Sequence, residues 1–275
     1  MSKLNLDLLD TSKITDLLNE SSNDCSFFRQ LNPCIYKELD STNAELKRRV
    51  VSGDYSSLLI IADKQTAGRG RLGRSFESPK DTGIYMSLLL PNVNSDNILL
   101  ITSAAAVAVC RGIRNISDLT PTIKWVNDIY SDNKKVCGIL AEAVTSPSGS
   151  MDVILGIGIN VTTAPASFSD EIRILAGSLF NNRCDAKISR NTVISSVVRE
   201  FYGIYEHIED REYLNDYRRW SNVIGRKIAY RENNIWHEAT AIDIDNNGGL
   251  IVESDNNKHV LSTGEISVRL SNNPL

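Results

Sequence analysis

Histidine is nearly absent: the 275 residues hold three, His207, His237 and His259, and none falls in the first two hundred. A hydrolase triad or a histidine metal site is thereby excluded over most of the chain. The five cysteines (Cys25, Cys34, Cys110, Cys137, Cys184) are odd in number, far apart and without a Cys-x-x-Cys pair. This excludes a disulfide framework and a zinc ribbon, and fits reduced thiols in a reducing compartment. No apolar run approaches the roughly 18 residues of a membrane span. The N-terminus has neither a signal-peptide core nor the arginine-rich, acid-poor look of a transit peptide, so the expected location is cytoplasmic. There is no basic surplus either: 30 Lys and Arg against 34 Asp and Glu leave a net charge of -4. That balance argues against bulk attraction to nucleic acid or an anionic membrane.

What is present is an ordinary globular composition, 41% hydrophobic and 23% charged, long enough for one sizeable core plus a small second domain. On this acidic body sits one concentrated basic stretch, Gln65-Thr-Ala-Gly-Arg-Gly-Arg-Leu-Gly-Arg74, directly after the apolar run Ser57-Leu-Leu-Ile-Ile-Ala62. Its glycines let the backbone approach a ligand, and its arginines offer planar forks of donors suited to phosphate and carboxylate. The stretch also spells Gly-x-Gly-x-x-Gly. However, the dinucleotide fingerprint requires a helix to open there, and the chain continues instead into a turn and the strand-like Ile84-Tyr-Met-Ser-Leu-Leu-Leu90. An anion-binding loop between two strands is the expectation.

Residues 1–34 are polar with scattered leucines, enough for one short helix and too short for a winged helix-turn-helix. Thr42 and Glu45 fit a capping box, which predicts a helix from there to Val51. Ser95 is placed to cap a buried helix from Asp96 to Arg114. Pro121 to Val126 reads as a strand with Ile123 and Trp125 on one face and Thr122, Lys124 and Val126 on the other. Strands are also expected at Val136–Val144 and Val153–Val161, the second carrying two glycines, a sign of close approach by a ligand or another backbone. Helices are expected at 169–180, 190–209 and 211–219. From Asn222 onward the texture changes to short strands with hairpin signals, the mark of a small β barrel.

Together the arginine loop with Arg69, Arg71 and Arg74, an inward-facing Lys124 and a glycine-lined strand ending in Asn160 supply positive charge, backbone donors and one amide. No nucleophile is paired with a base. Such a site suits the joining of a carboxylate to the α-phosphate of ATP, which needs two anions held in line and their repulsion neutralised. Asp128 is a candidate for holding Mg²⁺, or it only forms a turn.

Asp40-Ser-Thr-Asn43, Gln65–Arg74, Lys124-Trp-Val-Asn-Asp128, Lys135-Val-Cys-Gly-Ile-Leu140, Gly156-Ile-Gly-Ile-Asn160 and Gly264-Glu-Ile-Ser267 resemble, in order, the motifs of biotin protein ligases of the type without an N-terminal DNA-binding domain. The resemblance implies an α+β fold. An N-terminal extension (1–34) precedes a class II aminoacyl-tRNA synthetase-like catalytic domain (35–221), a mixed sheet flanked by helices, and a small SH3-like β barrel (222–275) closes the chain. It implies MgATP and biotin as substrates, biotinyl-AMP as the intermediate, and a biotin carboxyl carrier domain as the acceptor. No nucleic acid or membrane partner is implied, and a homodimer is left open. Carried over by motif, Ser41, Thr42, Asn43 and Gln65 fall in the biotin pocket. Arg69, Gly70 and Arg71 fall in the loop over biotin and the acyl phosphate, with Arg74 in the same loop, and Lys124 lies beside the reacting carboxylate. Lys124, Arg71 and Arg69 would be catalytic. Phe76 and Asn160 fall near adenine, and Gly138 and Gly158 join the ligand-binding set. The family's Lys-Trp-Pro-Asn-Asp has Val126 in place of proline here. Two alternatives stand: a lipoate ligase, with related fold and chemistry, and a non-catalytic adaptor whose arginine loop docks a phosphate.

Overall fold

A computed structural model describes residues 7–20, 26–94, 97–181, 188–232, 235–255, 257–262 and 267–270. Cys25, Ser95, Cys184, the Asn233-Asn234 turn and Gly264 to Ile266 lie outside the described residues.

The first layer is a seven-stranded sheet in the order β1-β2-β3-β7-β6-β5-β4. Its members are β1 (Cys34–Tyr36), β2 (Leu59–Ala62), β3 (Gly83–Leu90), β4 (Thr122–Lys124), β5 (Asp128–Ser131), β6 (Lys134–Thr145) and β7 (Met151–Asn160). β1 and β2 run parallel and all other neighbours antiparallel, so the sheet is mixed. β3 is buried along all eight residues, which means both faces are covered at its centre and explains why its sequence is mostly apolar, Ser87 apart, rather than alternating.

Helix α3 (Thr42–Ser52) packs against β2, β3, β6 and β7, and helix α4 (Ile98–Ile116) against β4 to β7. α4 is long and apolar enough for a membrane span by composition, but its central stretch from Leu100 to Cys110 is buried in the fold. Helix α6 (Arg190–Tyr205) covers α4 with Val193, Val197 and Phe201. Each such side chain removed from water contributes roughly 1.5–3 kcal/mol. Helix α7 (Tyr213–Trp220) comes next, and then a five-stranded antiparallel sheet, β11-β10-β9-β8-β12, built from β8 (Lys227–Glu232), β9 (Ile235–Ile244), β10 (Leu250–Ser254), β11 (Asn257–Leu261) and β12 (Ser267–Leu270). This is the small β unit the hairpin signals predict, SH3-like as the resemblance implies. The Trp125 indole donates to Gly248 O at 2.9 Å, tying the two sheets together.

Three expectations change. The N-terminal stretch holds two helices rather than one, α1 (Thr11–Asn19) and α2 (Ser26–Leu31), and Ile14, Leu18 and Leu31 enter the common core. Asp7 accepts from the Arg190 backbone N–H at the start of α6, and the buried Arg190 guanidinium reaches Asp63 at 2.6 Å and Gly83 O at 3.1 Å. The helix expected at 169–180 shrinks to one turn, α5 (Asp170–Arg173). Beyond it the backbone leaves the helical path to bond Lys135, whose N–H donates to Leu175 O while the Gly177 N–H donates to Lys135 O. The strand over Pro121–Val126 ends at Lys124, and Trp125 and Val126 lie in the turn beyond it, both buried; the Trp125–Val126 peptide is cis.

Candidate active site

The arginine loop leaves β2 and returns to β3, as its flanking apolar runs require, and its tip is a single 3₁₀ turn, Arg71–Gly73. Between the loop, the start of α3 and strands β4 to β7 lies a cleft of about 170 Å³. Ser41, Thr42, Asn43, Gln65, Arg69, Gly70, Arg71, Arg74, Phe76, Lys124, Gly138 and Gly158 all line it. Asn160 does not: it sits at the end of β7, its Nδ2 donates to Gly177 O at 3.0 Å, and its buried Oδ1 has no protein partner among the described residues.

The floor is built from uncharged side chains. Ser41 caps α3, its Oγ accepting from Ala44 N. The predicted Thr42–Glu45 capping box is therefore not formed, and Glu45 is taken by Arg48 and Arg49. This frees Thr42, whose N–H and hydroxyl reach Gln65 Oε1 at 2.9 and 3.1 Å. Gln65 is held from its other end by Ser78 Oγ at 2.9 Å. Ser87, fully buried on β3, lies 2.7 Å from Thr42 Oγ1 and 2.6 Å from Asn43 Oδ1.

Two glycines make this floor possible by close approach. A Cβ on Gly156 would sit 2.3 Å from Asn43 Oδ1, and one on Gly158 would sit 2.6 Å from the Phe76 ring. Phe76 thus packs on Gly158 of β7 and Gly138 of β6, edge-on to Tyr85 at 6.4 Å between centroids.

The walls are cationic. Arg71 donates to Asn127 Oδ1 at 2.9 Å, and Asn127 is fixed by donating to Ile139 O at 2.6 Å. Burial lowers the Arg71 pKa, with Asp128 acting against that shift; a guanidinium stays protonated all the same. Lys124 stands 5.9 Å from the Tyr130 ring centre. Burial pushes the Tyr130 phenol up to about 12, so it is neutral beneath the ammonium at ordinary pH. Lys135, quoted within a motif but given no role by sequence reasoning, lines the cleft too, with its Nζ 2.6 Å from Asp128 Oδ1. Among the described lining residues, Arg69, Arg71, Arg74, Lys124 and Lys135 thus face one carboxylate, Asp128. Asn127 and Ser87 were likewise missed: Asn127 reads as a turn former and Ser87 as a strand filler, and only the fold brings Asn127 to the cleft and Ser87 behind the Thr42 and Asn43 side chains that line it.

Residues 36–160 match the model of the biotin/lipoate A/B protein ligase family, and residues 223–269 match that of the biotin protein ligase C-terminal domain. A biotin--[acetyl-CoA-carboxylase] ligase of Mycobacterium tuberculosis is 32% identical over 251 residues, covering 88% of this chain and 90% of its own. A bifunctional ligase/repressor of Bacillus subtilis is 36% identical over 201 residues, and this chain spans 62% of its length. Among solved structures, a biotin protein ligase from Aquifex aeolicus in complex with biotin and ATP superposes with a TM-score of 0.75 at 27% identity, covering 87% of this chain and 99% of that one. The cleft, the two-sheet architecture and these likenesses agree, and the chain belongs to the biotin protein ligase family of ATP-dependent ligases.

Proposed function

We propose that this chain joins biotin to ATP and passes the biotinyl group to one lysine of a biotin carboxyl carrier domain. The observation that carries this reading is the pairing, among the described lining residues, of five cationic side chains against one carboxylate above an uncharged, oxygen-rich floor. Polyanionic ATP and a carboxylate suit the walls, and a cyclic urea bearing N–H donors suits the floor. In the first step a biotin carboxylate oxygen attacks the α-phosphorus, the bond from the α-phosphorus to the bridging oxygen breaks, and pyrophosphate leaves with the electron pair. Arg69, Arg71, Lys124 and Lys135 offset the repulsion between the two anions as they meet. In the second step the carrier lysine's neutral amine attacks the acyl carbon, forming an amide and losing its proton as AMP leaves. Phe76, lying on Gly158, forms the adenine end of the site, and Asn160 sits beyond it at the end of β7, outside the cleft lining.

Mg²⁺ fits as a companion of the ATP phosphates, because it commonly needs only one or two protein carboxylates beside the substrate's own phosphates and the cleft lining offers one. Asp128 is the carboxylate placed to help hold it. The division at residues 35 and 222, a cytoplasmic location and the absence of a nucleic-acid partner belong to the same proposal. A homodimer joins it as well: β5 covers β6 only as far as Gly138, which leaves Ala141 to Thr145 with an open edge among the described residues. Incubation with biotin, MgATP and a purified carrier domain tests the reading. One biotinyl group on one carrier lysine is expected by mass spectrometry; labelling by lipoate in its place would support the lipoate alternative, which the comparisons do not favour.

A further inference from the structure

We infer that Glu142, outside the cleft and absent from every sequence motif, is a positioning residue that sets the donor–acceptor polarity of the pocket floor. This rests on the reading that the floor receives the biotin ureido ring. The Asn43 side chain is 4% exposed and meets partners at both ends. Its Nδ2 donates to Glu142 Oε2 at 2.7 Å and faces Leu140 O at 3.5 Å. Carboxylate and carbonyl oxygens only accept, so the amide N–H₂ must point to them and Oδ1 must point to Ser87. Glu142 therefore decides which end of Asn43 the floor sees.

The consequence is a proton shortage. Three close oxygen–oxygen contacts, Asn43 Oδ1 to Ser87 Oγ, Ser87 Oγ to Thr42 Oγ1, and Thr42 Oγ1 to Gln65 Oε1, span 2.6, 2.7 and 3.1 Å. Only the two hydroxyls bring protons to them. Gln65 cannot relieve this by turning over, because its Oε1 accepts from the Thr42 N–H at 2.9 Å and its Nε2 meets Ser78 Oγ at 2.9 Å. The strip thus carries surplus acceptors in a buried setting, where an unmatched acceptor is costly, and a ligand supplying N–H donors relieves it. If Asn43 turned over, its N–H₂ would meet Ser87 instead, the surplus would vanish, and the floor would lose its preference for a urea. Glu142 Oε1 also stands 3.6 Å from the Arg69 guanidinium, so the same carboxylate ties the arginine loop to the floor.

The test is steady-state kinetics of biotin-dependent pyrophosphate exchange on three variants. Glu142→Met removes the acceptor and frees Asn43 to turn. Asn43→Asp sets two carboxylates against each other. The double change Asn43→Asp with Glu142→Gln reverses the direction of the bond while keeping an oxygen toward Ser87. The two single variants should raise KM for biotin about tenfold or more, with KM for ATP within about twofold of the parent, as expected for one lost hydrogen bond to a charged group. The double variant should recover most of the loss. A structural role would move KM for both substrates and would not be repaired by the reversal. A parent-like biotin KM in Glu142→Met, or a double variant no better than Asn43→Asp alone, overturns the inference. If Glu142→Met does not fold, the two near-isosteric variants at position 43 and in the pair carry the test. A parent protein with no biotin-dependent exchange would instead sink the functional reading, so the two failures are distinguishable.

Discussion

Arg71→Gly should convert a ligase that keeps its adenylate into one that leaks it. Arg71 is docked on Asn127 at 2.9 Å, and Asn127 is clamped to Ile139 O at 2.6 Å. The guanidinium is thus already placed at the cleft wall, and little ordering is needed when the acyl phosphate arrives. The start of the loop is anchored through Thr66 N–H to Leu39 O at 2.9 Å and Ala67 N–H to Asp40 O at 2.8 Å, whereas at its tip Gly70 N–H to Arg74 O at 2.7 Å and Phe76 N–H to Gly68 O at 2.9 Å close within the loop itself. A hydrogen bond to a charged group contributes about 1.5–3 kcal/mol, which is a tenfold to hundredfold faster escape at roughly 1.4 kcal/mol per decade. Synthesis of biotinyl-AMP should suffer less, because Arg69, Arg74, Lys124 and Lys135 still line the cleft. The assay is incubation with biotin, MgATP and an unrelated lysine-rich protein, followed by a biotin blot and a direct measurement of adenylate release. Parent-like selectivity with no faster release would refute the assignment of Arg71 as the clamp on the intermediate.

Lys124→Ala and Lys135→Ala should each slow adenylation by about a hundredfold, on the order of 3 kcal/mol of barrier, with unchanged thermal unfolding; a near-parent rate in single-turnover formation of biotinyl-AMP would mark that lysine as a bystander. Gly156→Ala drives a methyl group to within 2.3 Å of Asn43 Oδ1 and should weaken biotin binding about tenfold to a hundredfold by breaking the Ser87 and Glu142 contacts, read by calorimetric titration against an unchanged ATP affinity. Asp40 supplies a pH dependence. Its bidentate bond to Arg48, at 2.8 and 2.9 Å, outweighs burial and lowers its pKa from 3.8 to about 2. A depressed carboxylate stabilises the fold above its unfolded pKa and loses that contribution as pH falls from about 4 toward 2. Thermal unfolding midpoints of the parent should therefore fall more steeply over that window than those of Asp40→Asn, and parallel curves would show that the pair is too exposed to matter.

Much of the site was legible because its chemistry is local. The alternation of glycine and arginine in 68–74 identifies an anion loop whatever surrounds it, and the strands on either side followed from their apolar runs. The errors arose where a local pattern competed with a distant partner. Thr42 and Glu45 have capping-box spacing, but Thr42 is drawn to Gln65 and Ser87 and Glu45 to Arg48 and Arg49, so Ser41 takes the cap. The helical texture of 169–180 gives way where the backbone pairs with Lys135. Lys135 and Glu142 lie on one strand among apolar neighbours, and nothing in their spacing reveals that one faces Asp128 and the other Asn43. The role of the N-terminal helices was hidden for the same reason, since Asp7 acts through Arg190, 183 positions away.

The most direct test of the central claim is exchange of labelled pyrophosphate into ATP with the purified chain. The account predicts exchange that depends on biotin, is not supported by lipoate, and is lost in Lys124→Ala. Exchange that lipoate supports as well as biotin does, or no biotin-dependent exchange at all, would contradict it.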